Sequence, residues 1–520
     1  MTSAVNALLT VISVIVSIVT YQIIYHQNKN DSITIQRKPV DSRNCYRAAV
    51  YEHSSKEDDD LKYNPKDILN MNLAHYLQAI QIASQDSANL IVFPEDSLIN
   101  AEKFSRKILI EEVLEPMPES NEELISLCYS DKWKPTSVLK NLSCAAINYN
   151  IWIALSFGDK VKCKPDDSGC PSDGHYLYNA VCLFDAKGKI VVKYHKMHLY
   201  YEDQYNTPLN CKGHFNPVAT YDAPFGKLGF AICFDSLFEL PILEAVFVHQ
   251  IDTLIFPTYW FNYWPFNIGV QLQQSIAIAL NINFLASNVH NPGHGTYGSG
   301  IYSGLRGQVV HVNSPDGISR VLIANVPKNP RFSYYCYPKA EIKEVWRRSV
   351  EPAKDWMMNS KLFTIKRLIH KQDMIEHCIP GTKTCCSLFY RVKNVNKLLQ
   401  DNFVMIIGSG LGPGLNANKY KIYQEFCGLA SCKDSECNEY SRYSKTIFTA
   451  INLRANFESM IVFPSVMISD GKLLKYKHWN FYSKNSISIL KNWSMISVSF
   501  VNEPILLVTL YGRVYEKDQH

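Results

Sequence analysis

The net charge of this sequence of 520 residues is small. Its formal net charge is only +5, and no stripe of basic residues is interleaved with aromatic ones, so nucleic-acid binding has no support. Internal repeats and low-complexity stretches are also missing. With 47% apolar and 12% aromatic residues, the composition is that of a globular protein. The length exceeds that of one ordinary hydrophobic core, and we expect two main domains.

Long hydrophobic runs are limited to one, at residues 4–25. Its position predicts a secretory signal at residues 1–25, although no Lys or Arg precedes the run and no small-residue cleavage site follows it. About 20 apolar residues can span a bilayer, so an uncleaved signal-anchor is the alternative. We therefore expect a secreted protein, or one held at a membrane by this segment alone. No hydrophobic tail follows Lys517, so a C-terminal lipid anchor is not expected.

Cysteines are numerous, and this predicts export and disulfide bonds. There are 15, an odd number, so at least one thiol stays unpaired. Cys163 and Cys170 enclose a polar, turn-rich loop and are predicted to form a bridge. Six cysteines between residues 378 and 437 indicate loops held by disulfides; a zinc site is the alternative, but paired Cys-x2-Cys modules are missing. Acceptor sequons for N-glycosylation occur at Asn30, Asn141 and Asn492.

From Arg47 onward, helices alternate with short apolar strands, which indicates an α/β fold with buried sheets. Residues 308–313 and 318–326 flank a Ser-Pro-Asp-Gly turn and are predicted to pair as a hairpin that closes the first domain. After about residue 361 the predicted strands are short, and a β-rich second domain is expected. Strands are predicted at 48–51, 90–93, 151–157, 178–184, 190–194, 228–232, 253–256 and 284–287, and helices at 73–84, 139–146, 241–249 and 268–281.

Three reactive side chains stand just past predicted strands. Glu95 follows the strand at 90–93, Lys196 follows that at 190–194, and Cys233 follows that at 228–232. If the three strands share one sheet, these side chains converge at its rim, where α/β folds place their sites. A thiol at a strand-to-helix junction also lies near backbone N–H groups, which predicts a lowered pKa for Cys233.

The motifs around these residues resemble the Glu-Lys-Cys triad of the nitrilase (carbon–nitrogen hydrolase) superfamily. They read Phe-Pro-Glu95, Tyr-His-Lys196-Met-His-Leu and Ile-Cys233-Phe-Asp. The resemblance covers most of the chain after about residue 45. Further motifs are similar to the vanin and biotinidase branch of that superfamily; they lie at 199–202, 256–260, 284–288, 298–302 and 510–517.

The resemblance implies an αββα sandwich followed by a β-rich C-terminal domain of the vanin type, which is not separately catalytic. Expected boundaries are 45–327 for the catalytic domain, 328–360 for a connecting segment and 361–520 for the C-terminal domain. The implied chemistry is hydrolysis of a small linear amide. It needs a nucleophile, stabilisation of negative charge and a proton for the departing amine, and no metal or cofactor.

The three triad residues supply these functions in the implied mechanism. Cys233 attacks the carbonyl carbon and forms a thioester, Glu95 moves the protons, and Lys196 stabilises the oxyanion. Glu202 is expected to support this geometry. The substrate expected from the resemblance is pantetheine, cut to pantothenate and cysteamine; a biotin amide such as biocytin is the alternative, and no residue separates the two by physical argument. The oligomeric state is not predicted.

Other interpretations are weaker. A secreted binding protein with the same fold and no activity is disfavoured because all three triad residues are present. His195 and His198 could serve Cys233 in a papain-like protease, but the sequence around a papain-type nucleophile is missing. Residues 408–414 are rich in glycine, yet they lack the Lys-Ser/Thr of a phosphate-binding loop.

Overall fold

The protein is described by a computed structural model that covers most of the chain after residue 43. Residues 1–25, the sequons at Asn30 and Asn492, and Cys211 lie outside the described residues. No helix within the described segments is long and apolar enough to cross a membrane. The described residues are 44–55, 64–119, 126–208, 217–304, 306–332, 336, 339–358, 360–368, 373–393, 399–484, 493–499 and 501–519.

Two mixed sheets form the centre of the first domain. The first has the spatial order β14-β13-β1-β2-β3-β4-β5, from strands β1 (Cys45–Glu52), β2 (Leu90–Val92), β3 (Trp152–Lys162), β4 (His175–Phe184), β5 (Ile190–His195), β13 (Ile318–Pro327) and β14 (Ala340–Arg347). The second has the order β12-β11-β10-β8-β7-β6, from β6 (Thr220–Ala223), β7 (Gly226–Phe230), β8 (Thr253–Thr258), β10 (Asn283–Asn288), β11 (Ser299–Ser303) and β12 (Gly307–Val312). Parallel neighbours occur only centrally, as β1-β2-β3 and β7-β8-β10; the outer pairs are antiparallel.

Alternating side chains place two cores on the two faces of the first sheet. Val50 and Val92 point to the second sheet and pack in one cluster with Phe230 and Ile255, whereas Ile91 belongs to the cluster on the opposite face. Period-two alternation along each strand produces this division. Helices cover the outer faces, so the layers run helix, sheet, sheet, helix, and the predicted αββα sandwich is confirmed. The helices are α1 (Pro65–Gln85), α2 (Arg106–Ile108), α3 (Val138–Tyr149), α4 (Ile242–Phe247) and α5 (Gly269–Leu280).

Local sequence explains why the helices begin where they do. In α1, Pro65 occupies the first turn and the side chain of Asn64 accepts a hydrogen bond from the Lys66 backbone N–H at 2.9 Å. Proline and asparagine are both favoured at these positions. In α5 nearly every residue is buried, since one side packs on the second sheet and another packs on β22 (Val462–Ile468) of the C-terminal domain.

The C-terminal domain consists of two antiparallel sheets, in agreement with the predicted β-rich character. One has the order β16-β19-β20-β26-β22-β23, from β16 (Phe363–Arg367), β19 (Asn402–Leu411), β20 (Tyr423–Cys432), β22, β23 (Lys472–Leu473) and β26 (Ile505–Arg513). The other has the order β17-β18-β21-β25-β24, from β17 (Met374–Cys378), β18 (Cys385–Val392), β21 (Phe448–Asn456), β24 (Trp479–Lys484) and β25 (Trp493–Ser499). Between the domains, β9 (Tyr263–Trp264) and β15 (Trp356–Met357) form a two-stranded ribbon.

The hairpin predicted for residues 308–326 is wrong. β12 pairs with β11 in the second sheet, whereas β13 pairs with β1 and β14 in the first, so the Ser-Pro-Asp-Gly turn carries the chain from one sheet to the other. Burial gives the physical reason. Every residue of β13 is buried, as an interior strand requires, while β12 is only partly buried and forms an edge. The segment predicted to connect the domains contains β14, and the domain boundaries stay predictions.

Six disulfides link twelve of the cysteines. Cys163 is bonded to Cys170, the pair that the sequence singled out. The six cysteines between residues 378 and 437 are all paired, which excludes them as zinc ligands in this state. The pairs are Cys45–Cys336, Cys128–Cys144, Cys163–Cys170, Cys378–Cys385, Cys386–Cys427 and Cys432–Cys437. Among the described cysteines, Cys182 and Cys233 are free and buried.

Candidate active site

The structure brings Glu95, Lys196 and Cys233 to one rim, but not by the route that the sequence predicted. Glu95 follows β2 and Lys196 follows β5, both in the first sheet, whereas Cys233 follows β7 in the second. The expectation of one shared sheet is therefore wrong. The residues meet because the two sheets face each other and both present strand ends to the same edge.

Lys196 lies between two carboxylates. Its Nζ is 2.7 Å from Glu95 Oε1 and 2.7 Å from Glu202 Oε1, so Glu202 lies in the same network and its supporting role stays a prediction. Asn179 donates from Nδ2 to the same two oxygens, at 2.8 Å to Glu95 and 2.9 Å to Glu202. The other Glu95 oxygen accepts from the Tyr259 backbone N–H at 2.8 Å. All donors of this network are pre-positioned, so Glu95 is held in one orientation.

Cys233 occupies a strained junction. Its φ is +60°, in the left-handed region that residues other than glycine rarely adopt, and it opens a 3-10 turn over Cys233–Leu237. The Asp235 carboxylate fixes this turn, since it accepts from the Ile232 backbone N–H at 3.0 Å and from the Tyr194 hydroxyl at 2.7 Å. Asp235 also accepts from the His198 backbone N–H at 3.0 Å. The turn that carries Cys233 is thereby tied to the segment that carries Lys196.

Burial dominates the electrostatics of the site. It disfavours the charged ammonium of Lys196, yet the carboxylates of Glu202 and Glu95 outweigh burial and hold the pKa of Lys196 well above its usual range. Burial raises the pKa of the Glu202 carboxyl well above its usual range, and Lys196 only partly offsets this. Lys196 is therefore held as a cation by the two glutamates that bind it.

The lowered pKa expected for Cys233 is wrong. Burial, reinforced by the nearby carboxylate of Glu95, raises the pKa of the Cys233 thiol well above its usual range, and the charge of Lys196 only partly offsets this. The backbone N–H groups on which the prediction relied are too weak against these two effects. At neutral pH the sulfur thus holds its proton and needs a base during attack, and Glu95 is the adjacent group that can accept it.

Cys233 opens into a cavity of about 260 Å³. One wall comes from the catalytic domain and includes Tyr200 and Trp260; the opposite part includes Met358, Leu415 and Gln424. The described residues that line the cavity are all uncharged, and most are apolar or aromatic. They are Tyr200, Cys233, Phe234, Leu237, Tyr259, Trp260, Phe261, Tyr263, Asn267, Met357, Met358, Leu362, Pro413, Leu415, Ile422 and Gln424.

The C-terminal domain thus forms part of the site, a role that the sequence did not predict. Its Asn416 side chain also bonds the segment that follows Lys196: Nδ2 donates to the Leu199 carbonyl at 3.0 Å, and Oδ1 accepts from the Tyr201 backbone N–H at 2.8 Å. Nothing in the local sequence of residues 411–424 marks this contact, because the catalytic segment that it touches lies more than 200 residues earlier.

Several other candidate residues make their contacts outside the triad. His195 contacts the Asp159 carboxylate at 2.8 Å, and His198 contacts that of Asp235 at 2.9 Å. Each imidazole is therefore paired with a carboxylate and not with Cys233. Asn141 lies in α3, where Nδ2 donates to two carbonyl oxygens; a glycan there requires their loss, and its glycosylation stays a prediction. Among the described residues, no group of three or more His, Cys, Asp or Glu is placed to hold a metal.

Sequence reasoning missed Asn179, although a signal was present. Asn179 interrupts the otherwise apolar strand β4, and it is 2% exposed. A buried amide in an apolar strand needs hydrogen-bond partners, and these are found in the two glutamates. A polar residue inside a buried strand that pairs with the Lys196 strand was therefore a detectable pointer to the site.

Comparison with known proteins places these residues within a matched segment. A family model described as Carbon-nitrogen hydrolase matches residues 61–326, and one described as Vanin C-terminal domain matches residues 355–518.

Pantetheinase of Canis lupus familiaris is 30% identical over 496 residues, which cover 92% of this chain and 91% of that protein. Biotinidase of Homo sapiens is 29% identical over 517 residues, covering 91% of this chain and 90% of that protein. Among solved structures, an amidase from Nesterenkonia sp. has a TM-score of 0.38 and 18% identity, covering 55% of this chain and 91% of that chain. The first matched segment contains Glu95, Lys196 and Cys233.

Proposed function

This chain belongs to the carbon–nitrogen hydrolase family, and from this premise we propose that it hydrolyses pantetheine to pantothenate and cysteamine. Its membership, including the likeness to vanins and biotinidases, confirms the predicted family and a hydrolase of carbon–nitrogen bonds other than peptide bonds. The observation that carries the proposal is the hydrogen-bonded pair of Glu95 and Lys196, which interacts electrostatically with Cys233, the residue that opens into the cavity.

In the acylation step, the Cys233 sulfur attacks the amide carbonyl carbon. Glu95 takes the thiol proton, which the raised pKa of Cys233 makes necessary. Negative charge develops on the carbonyl oxygen, and the Lys196 ammonium stabilises it. Glu95 then gives the proton to the departing nitrogen; the C–N bond breaks, cysteamine leaves, and the acyl group remains as a thioester on Cys233.

In the deacylation step, Glu95 takes a proton from water, whose oxygen attacks the thioester carbonyl. The C–S bond breaks, the proton returns to the Cys233 sulfur, and pantothenate leaves. Glu202 keeps the Lys196 ammonium between the two glutamates, at 2.7 Å from each.

The choice of pantetheine over biocytin rests on charge. Pantetheine is neutral along its whole length, which suits the uncharged side chains that line the cavity. Biocytin ends in a lysine whose ammonium and carboxylate each lose hydration on binding, and burying unpaired charges is costly. The pantetheinase and biotinidase relatives are nearly equal in identity, so the cavity rather than the relatives favours pantetheine.

The test is turnover by the purified full-length protein. We expect release of cysteamine from pantetheine, with kcat/KM at least tenfold above that for release of lysine from biocytin. Acid-quenched samples should carry the acyl group on Cys233. Preferred cleavage of biocytin would overturn the substrate, and an acyl group mapped to another residue would overturn the mechanism. A protein that binds pantetheine without cleaving it would favour the binding-protein alternative.

We further propose that the protein works outside the cytosol. The six disulfides support an oxidising compartment, and the apolar segment at 4–25 is the expected signal for export. Expression in secreting cells should place the activity in the medium. Activity retained in the membrane fraction would instead indicate an uncleaved anchor, and glycosidase treatment of the same material tests Asn30, Asn141 and Asn492.

A further inference from the structure

Two amide side chains line the cavity, and the triad does not use either. Asn267 lies on the loop between β9 and α5 of the catalytic domain, and Gln424 lies on β20 of the C-terminal domain. They are 6% and 5% exposed. Buried amides are expected to have hydrogen-bond partners, so their presence in an otherwise apolar cavity calls for a physical reason.

Asn267 is held in place through its backbone while its side chain is left with an open acceptor. Its N–H donates to the Tyr263 carbonyl at 2.9 Å, and its carbonyl accepts from the Trp260 indole at 2.9 Å. Its Oδ1, however, is buried and has no hydrogen-bond partner within the described part of the chain. An unpaired buried acceptor is unfavourable, so a ligand donor that reaches this oxygen binds favourably.

Gln424 is fixed beside it by the C-terminal domain. Its Oε1 accepts from the Tyr511 hydroxyl at 3.1 Å, and Tyr511 also interacts with Asn267. Its Nε2 lies against Gly412, where a Cβ would come within 2.9 Å of this nitrogen. Tyr511 therefore orients Gln424, and glycine at position 412 leaves room for its amide.

We propose that Asn267 and Gln424 form a subsite for a neutral hydrogen-bonding group in the acyl part of the substrate. Met357, Met358 and Leu362 make the neighbouring wall apolar, so the acyl part that fits has an aliphatic body and carries a hydroxyl or amide N–H. This inference rests on the proposed function, because the pantothenoyl group has that composition. Asn267, held through its backbone, accepts the ligand's hydrogen, and Gln424, oriented by Tyr511, lines the same space.

The test separates the subsite from catalysis by measuring binding. In the background of Cys233→Ala, which cannot form the thioester, titration calorimetry gives Kd for pantetheine and for N-hexanoylcysteamine, an amide whose acyl chain has no polar group. Adding Asn267→Ala or Gln424→Leu should weaken pantetheine binding at least about tenfold and change hexanoylcysteamine binding less than about threefold. Asn456→Ala is the control, because Oδ1 of Asn456 is also unpartnered among the described residues but does not line the cavity.

Each outcome decides one question. Equal weakening for both ligands, or none for either, overturns the subsite. Failure of the Cys233→Ala protein to bind pantetheine also overturns it. If pantetheine binding shows the expected selectivity but the unmodified protein releases no cysteamine, the subsite stands and the proposed function fails.

Discussion

The Tyr205 hydroxyl donates a hydrogen bond to Asp96 Oδ1 across 2.9 Å. Asp96 directly follows Glu95, and the Tyr205 backbone N–H donates to the Glu202 carbonyl at 3.0 Å. Tyr205 therefore ties the segment of one active-site glutamate to the segment of the other. The distance between Glu95 and Glu202 is set by this link as well as by the ammonium between them.

Asp96 makes stability depend on pH. Burial raises the pKa of Asp96 to about 7, so the folded protein keeps a proton that the unfolded chain has lost above about pH 4. Because the pKa is higher in the folded state, the bound proton stabilises the folded protein at low pH. This stabilisation is lost as pH rises towards 7. Asp96→Asn has no such proton to lose, so the variant should keep its stability as pH rises. The gain in the free energy of unfolding is at most roughly 4 kcal/mol, for a difference of about 3 between the two pKa values.

Urea unfolding of the unmodified protein and of Asp96→Asn at pH 5 and pH 8 measures this effect. The variant should gain stability relative to the unmodified protein as pH rises. Asp131→Asn, at an exposed position, is the control and should leave the pH dependence unchanged. A constant difference between Asp96→Asn and the unmodified protein at both pH values would contradict the prediction.

Asn179→Ala tests the amide that bridges the two glutamates. The variant loses one hydrogen bond to each glutamate, so Glu95 is less firmly oriented and kcat/KM should fall by about tenfold or more. Steady-state kinetics with pantetheine measures this effect. An unchanged kcat/KM would show that the orientation of Glu95 does not depend on Asn179.

The Glu95 and Lys196 variants should fail at different steps. Glu95→Gln loses the base of both steps, at about 10²–10⁴-fold in rate, and should accumulate acyl-enzyme if water attack suffers more than acylation. Lys196→Ala loses an oxyanion donor, at roughly 10²–10³-fold, and should accumulate none. Acid-quenched intact-mass analysis after mixing with pantetheine distinguishes them.

Cys182→Ala is the control for the same mass analysis, because Cys182 is the other free described thiol and lies in the core. It should form the acyl adduct and turn over as the unmodified protein does. Loss of the adduct in Cys182→Ala would show that Cys182, and not Cys233, is the nucleophile.

Disulfide removal should have unequal effects on stability. Cys45–Cys336 closes a separation of 291 residues and Cys163–Cys170 one of 7. The chain-entropy model gives roughly 5–6 kcal/mol for the first and about 2 kcal/mol for the second. Denaturant unfolding of the two paired Cys→Ala variants checks this order, and equal losses would show that native-state effects outweigh chain entropy.

How far the sequence predicts this molecule depends on the range of each interaction. Local motifs placed Glu95, Lys196 and Cys233 correctly at strand ends, because strand periodicity and turns are encoded within a few residues. The division of those strands between two sheets was not predictable, since a strand end looks the same in either sheet. The pKa of Cys233 was predicted in the wrong direction for a related reason: burial depends on the assembled fold.

The cavity shows the same limit. Asn179 had a local signal as a polar residue in an apolar strand. Asn267 and Gln424 had none, because they come together only when two domains separated in sequence pack around the same space. Polar residues on loops and strand ends are ordinary in isolation, and their meaning here comes entirely from their neighbours.

Helix α5 has a consequence for how the molecule can evolve and be engineered. It is buried on one side by the catalytic sheet and on another by β22, so each domain shields one side of the helix from solvent. A chain cut between the domains exposes an apolar helix on one fragment and its complementary surface on the other. The two domains should therefore melt in a single transition, and new substrate specificity is best sought by changing both sides of their boundary together rather than by exchanging one module.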